Sequence, residues 1–99
     1  MIKIYSITMK TPLGIQQGRL TLKINGKSLS GTLDGMGTRS EFHNGKFDGK
    51  SFEFSGQIKN LIARIQYVAK GVLNDNILSG SVNTKYGIFS VTGKLISQS

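Results

Sequence analysis

Leu29-Ser30-Gly31-Thr32-Leu33, Phe54-Ser55-Gly56-Gln57-Ile58 and Leu78-Ser79-Gly80-Ser81-Val82 are three copies of one short pattern. Each follows a tight-turn signal: Asn25-Gly26, Asp48-Gly49 and Asn74-Asp75-Asn76. Asn, Asp and Gly tolerate the positive φ values that two-residue hairpin loops demand. A turn followed by alternating large apolar and small residues reads as a β-hairpin, here repeated. That repeat decides the fold class: all-β.

Outward from these copies, turn signals recur every 8–14 residues and no window carries helical periodicity. The pattern predicts eight strands over 2–10, 15–24, 28–34, 38–47, 51–58, 62–73, 77–84 and 87–96. All connections are short, so consecutive strands pair as antiparallel neighbours in a meander. A longer repeat, Gly18-Arg19-Leu20, Gly45-Lys46-Phe47, Lys70-Gly71-Val72 and Gly93-Lys94-Leu95, marks four hairpin units. Four hairpins close into one eight-stranded up-and-down barrel, which removes both sheet edges. The expected domain is a single barrel spanning residues 1–99.

Glycine falls on the apolar face of strand after strand: Gly18 beside Leu20 and Leu22, Gly31 between Leu29 and Leu33, Gly80 between Leu78 and Val82. Glycine weakens a strand interior, so this placement implies sharp bending at barrel corners. The volume it withholds also leaves space inside. An eight-stranded barrel is just wide enough to be filled or to hold one small ligand.

The run Thr11-Pro12-Leu13-Gly14, then Leu20-Thr21-Leu22-Lys23-Ile24-Asn25-Gly26, then Asn44-Gly45-Lys46-Phe47-Asp48-Gly49 and Phe52-Glu53-Phe54 resembles small bacterial lipocalin-like proteins of the calycin type. The resemblance implies a meander barrel with a ligand-binding interior. Its motifs are turns and core positions and carry no catalytic signature.

The chain of 99 residues has a formal charge of +8 and no Cys. Disulfides and thiolate metal sites are therefore excluded. No cofactor is expected. The alternating start, Met1-Ile2-Lys3-Ile4-Tyr5, has no signal-peptide character, and no apolar run is long enough for a membrane helix. The expected location is cytoplasmic, with no membrane partner. Arg19, Lys46, Lys70 and Lys94 are expected to point outward on alternate strands. They form a belt, whereas nucleic-acid sites gather charge on one face beside stacking aromatics; nucleic acid is not the expected partner.

Strand 38–47 is the anomaly. If Gly45 and Phe47 face inward, so do Arg39, Glu41 and His43, which would bind a polar or anionic group or supply an acid and a base. If a bulge lies between Phe42 and Phe47, the same three residues face solvent, with Arg39 and Glu41 as a weak surface pair. At one rim Leu13, Met36 and Tyr86 each precede a glycine, and Leu61 occupies the remaining loop. They form either a plug or a portal. The candidate ligand-binding set is thus Tyr5, Leu13, Met36, Arg39, Glu41, His43, Tyr67 and Tyr86. The leading expectation is a binder of a small, partly apolar molecule. The alternative is an interaction module or homo-oligomer assembled through the rim. A barrel isomerase or cyclase using Glu41 and His43 is third.

Overall fold

The computed structural model describes residues 1–11, 14–35, 37–59 (Lys59 by its backbone alone) and 64–99. It contains eight strands: β1 (Ile2–Thr11), β2 (Gly14–Asn25), β3 (Ser28–Gly35), β4 (Thr38–Phe47), β5 (Ser51–Lys59), β6 (Arg64–Asn74), β7 (Ile77–Thr84) and β8 (Gly87–Gln98). Every consecutive pair is antiparallel, and β1 also pairs with β8, so the sheet closes on itself. No helix occurs among the described residues.

The turns act as the sequence implies, one residue later than the Asn-Gly dipeptide suggests. Asn25 pairs with Ser28, leaving Gly26-Lys27 as a two-residue loop with Gly26 at φ 63°. Asn74 pairs with Ile77, and Asp75 takes φ 57° in the matching loop. Between β4 and β5 the Asp48 carboxylate accepts hydrogen bonds from the Ser51 and Lys50 amides at 2.6 and 3.0 Å. These two bonds hold that carboxyl below its ordinary range.

Two glycine pairs set the barrel's corners. Gly18 opposes Gly35 across β2 and β3, and Gly71 opposes Gly80 across β6 and β7. A Cβ on Gly18 would strike the Asp34 carbonyl oxygen, and one on Gly80 the Lys70 carbonyl oxygen. The two corners lie on opposite sides of the eight-strand ring.

Two strands carry an extra residue. Leu29 opposes Gly45 but Gly31 opposes Phe42, so His43 and Asn44 together face Ser30. Tyr5 opposes Leu95 but Ile4 opposes Ser97, leaving Ile96 over. A bulge switches the side-chain parity beyond it.

Tyr5, Leu22, Leu29, Phe42, Tyr67 and Leu78 are the largest fully buried side chains and fill the barrel's middle. Phe42 stacks on Phe54 with ring centroids 3.8 Å apart, and Tyr67 meets Phe54 edge-on at 6.1 Å. This aromatic group lies behind the junction of β4 and β5, where the regular ladder is short. There, among the described residues, β4 and β5 share the rungs Lys46–Glu53 and Phe47–Phe52. Beyond those rungs, Ser40 Oγ donates to the Gln57 carbonyl at 2.6 Å, and Asn44 Nδ2 donates to Ser55 Oγ at 3.1 Å.

Candidate functional site

The inner faces of the strands leave a cavity of about 60 Å³ at the end where β1–β2, β3–β4, β5–β6 and β7–β8 connect. Gly18, Gly35 and Gly80 lie on its wall, so the corners that bend the sheet also create the space. Ile7, Leu20, Phe54, Leu78 and Val91 form its floor and sides. Met9, Gln16, Thr38, Ile58 and Val82 carry it to the last rungs before the loops. The lining is almost wholly apolar. Such a volume holds a few water molecules by size, yet a site of this polarity gives water too few partners. It is well below the roughly 300–1,000 Å³ of pockets for drug-sized ligands.

Of the residues singled out in the sequence, Tyr67 lines this cavity. Its hydroxyl lies 3.3 Å from Ser40 Oγ. Burial pushes the Tyr67 phenol up, and the Ser40 contact offsets part of that rise. Gly56 exists for this ring: a Cβ there would sit 2.8 Å from the Tyr67 hydroxyl oxygen.

Tyr5 is also inside, but not on the cavity wall. Its hydroxyl is buried with no hydrogen-bond partner, and burial pushes its ionisation up from 10.0. Both phenols are therefore held neutral. A raised folded pKa adds stability that is complete below the unfolded value near pH 10 and lost as the pH climbs through the folded value. Leaving a buried hydroxyl unmatched costs about 1–3 kcal/mol. Tyr5→Phe is accordingly expected to stabilise the fold by about 1 kcal/mol, read as a higher midpoint in urea at neutral pH.

Arg39, Glu41 and His43 do not face the interior. All three are exposed on the outer wall, while Ser40, Phe42 and Gly45 point in. The bulge at His43-Asn44 is the cause, since it lets Phe42 and Gly45 share the inner face despite their odd separation. Arg39 pairs with Asp34 across the β3–β4 ladder, Nε to Oδ1 at 3.0 Å, and not with Glu41. Among the described residues no acid–base pair stands inside the barrel, and the isomerase or cyclase expectation loses its geometry because Glu41 and His43 face solvent. Tyr86 is exposed in the β7–β8 turn, with the Lys85 ammonium 5.2 Å from its ring centroid. Leu13, Met36 and Leu61 lie outside the described residues.

Apart from Tyr67 the cavity lining was missing from the sequence-based set, Met9, Leu33, Ile58 and Val82 among it. Their signal was present: each shares strand parity with an inward glycine or a core residue.

This geometry has a counterpart among solved structures. A redesigned β-barrel matches the chain with a TM-score of 0.69, covering 97% of this chain and 90% of that one at 14% identity. The likeness is one of fold. No family model and no curated protein matches the sequence.

Proposed function

We propose that the barrel binds one small, mostly apolar molecule at the loop end of its interior, as the resemblance to lipocalin-like barrels implies. The observation that carries this reading is the apolar cavity bounded by the two glycine corners and running to the last rungs of the strands. Among its described lining, no ionisable side chain from β4 contributes. Lys70 and Asp34 also border the cavity, but their charged groups turn outward, Lys70 towards Glu53 and Asp34 into an ion pair with Arg39, so the space itself is lined by apolar atoms. The ligand class is therefore a compact hydrocarbon-like molecule, aliphatic or a single aromatic ring. Met9 is the adaptable wall: it is partly buried against the core, and its unbranched thioether chain repacks at low cost.

The test is a methyl NMR titration with benzene and with hexanol. Shifts are expected at Ile7, Leu33, Val82 and Val91, and not at the exposed Ile88. Val82→Phe and Leu33→Phe, which fill the space, should each abolish them. Absence of cavity-specific shifts for both probes up to their solubility would remove this reading.

A further inference from the structure

Four isoleucines lie on the outside of the barrel, beside the strand pair that closes it. Ile2 and Ile4 occupy the outward face of β1, because Tyr5 and Ile7 take the inward one. On β8 Leu95 packs against the core, and the bulged Ile96 is 52% exposed. On β7 Ile77 is 44% exposed and opposes Lys94, two residues before Ile96. Diagonal neighbours of this kind lie within reach of one another across a sheet. Ile77, Ile96, Ile4 and Ile2 thus form one apolar stripe over three adjacent strands, at the end away from the cavity mouth.

The stripe has a cationic rim. Lys94 stands between Ile77 and Ser6 in the register, and Lys23 opposes Ile2. Lys27 lies exposed in the β2–β3 turn at the same end. Asp75, two residues before Ile77, is an acidic residue at the edge of the stripe; Asp48 lies in the β4–β5 turn.

We propose that this stripe rests on an anionic lipid surface, the isoleucines entering the headgroup boundary and the lysines meeting lipid phosphates and carboxylates. Peripheral binding of this kind sums buried apolar area and electrostatic attraction. A second copy fits poorly: each chain carries +8, and apposed stripes would bring lysine rims together without acidic complements. A protein partner is disfavoured by the stripe's make-up, which is aliphatic, on a convex wall, and without the aromatic or arginine anchors typical of hot spots. The barrel lies on the surface and does not cross it. Arg19, Lys46 and Lys70 stand exposed along the wall, where a spanning barrel needs an apolar band. This departs from the expectation of no membrane contact, which rested on the lack of an apolar helix. No helix among the described residues is long and apolar enough to cross a membrane, and that fact does not bear on a surface of strands.

The experiment is co-sedimentation with vesicles of phosphatidylcholine alone and of phosphatidylcholine mixed with phosphatidylserine. Binding is expected to the mixed vesicles and to weaken as salt is raised. Lys94→Glu should weaken it by at least about fivefold, the effect of one lysine near an anionic surface. Ile77→Ser with Ile96→Ser should weaken it similarly, whereas Ile15→Ser, exposed at the mouth end, should not. A dye on Ile96→Cys, in a chain otherwise free of cysteine, should shift to the blue on binding, and a dye on Ile15→Cys should not. Three results would overturn the proposal. They are no binding to mixed vesicles, isoleucine variants that bind like the parent, and a dimer in solution that the isoleucine variants dissociate.

Discussion

Gly71→Val is expected to destabilise the barrel by more than about 3 kcal/mol, beyond the usual range for overpacking a core. A Cβ on Gly71 would meet the Ser79 carbonyl oxygen, and would sit 2.7 Å from Phe52 Cζ and 2.8 Å from Gly80 Cα. Two of those neighbours are backbone, so no rotamer change relieves them. The strands would have to part at the corner, and the corner is where the sheet bends to close. At about 4–8 °C per kcal/mol for a domain near this size, the melting temperature should fall by well over 10 °C. Ser79→Val is the control: it adds the same side chain on the opposite strand of the same corner, but outward, and should change stability by less than about 0.5 kcal/mol. Urea unfolding of both variants decides the matter. Equal midpoints would mean that the corner needs no glycine.

Phe54→Ala is the second large effect, with an expected loss of about 3–5 kcal/mol. Phe54 is buried between the stacked ring of Phe42 and the edge of Tyr67, and a third ring, Phe52, lies 5.9 Å away. It also stands behind the two-rung junction of β4 and β5. Truncation should therefore act locally as well as globally: amides from Arg39 to Phe42 and from Ser55 to Ile58 should lose more protection against exchange than those of β2. Because Phe54 lines the cavity, the same variant enlarges it, and benzene should bind more tightly to the weakened fold than to the parent. A stability loss without tighter benzene binding would separate the aromatic packing from the proposed site.

Much of this was readable in the residues. The eight strands follow from turn signals and alternation, and Gly18, Gly71 and Gly80 mark corners as their placement on apolar faces implies. Other glycines have a different cause. Gly56 makes room for the Tyr67 hydroxyl, and a Cβ on Gly93 would press within 2.9 Å of Ile7 Cγ2. Both are contacts between register partners on neighbouring strands, β5 with β6 and β8 with β1, which alternation within one strand does not encode. The orientation of β4 was open for the same reason. Phe42 and Gly45 both want the inside at odd spacing, which requires one extra residue, but its position is fixed by the partner Ser30 on β3. Once the bulge falls at His43-Asn44, Arg39, Glu41 and His43 turn to solvent together, and a polar interior becomes an apolar one. Ile96 repeats the lesson at the closing pair, where its exposure follows from a register shift against Ile4 and Tyr5.

Cavity, corners and outer stripe all depend on β1 meeting β8. The direct measurement is a solution NOE experiment on backbone protons across that pair. Contacts are expected between the strands at Ile7 and Gly93 and at Met9 and Val91, with slow exchange of the amides that bridge them. Absence of those cross-strand contacts, with β1 and β8 exchanging as two free edges, would contradict a closed barrel.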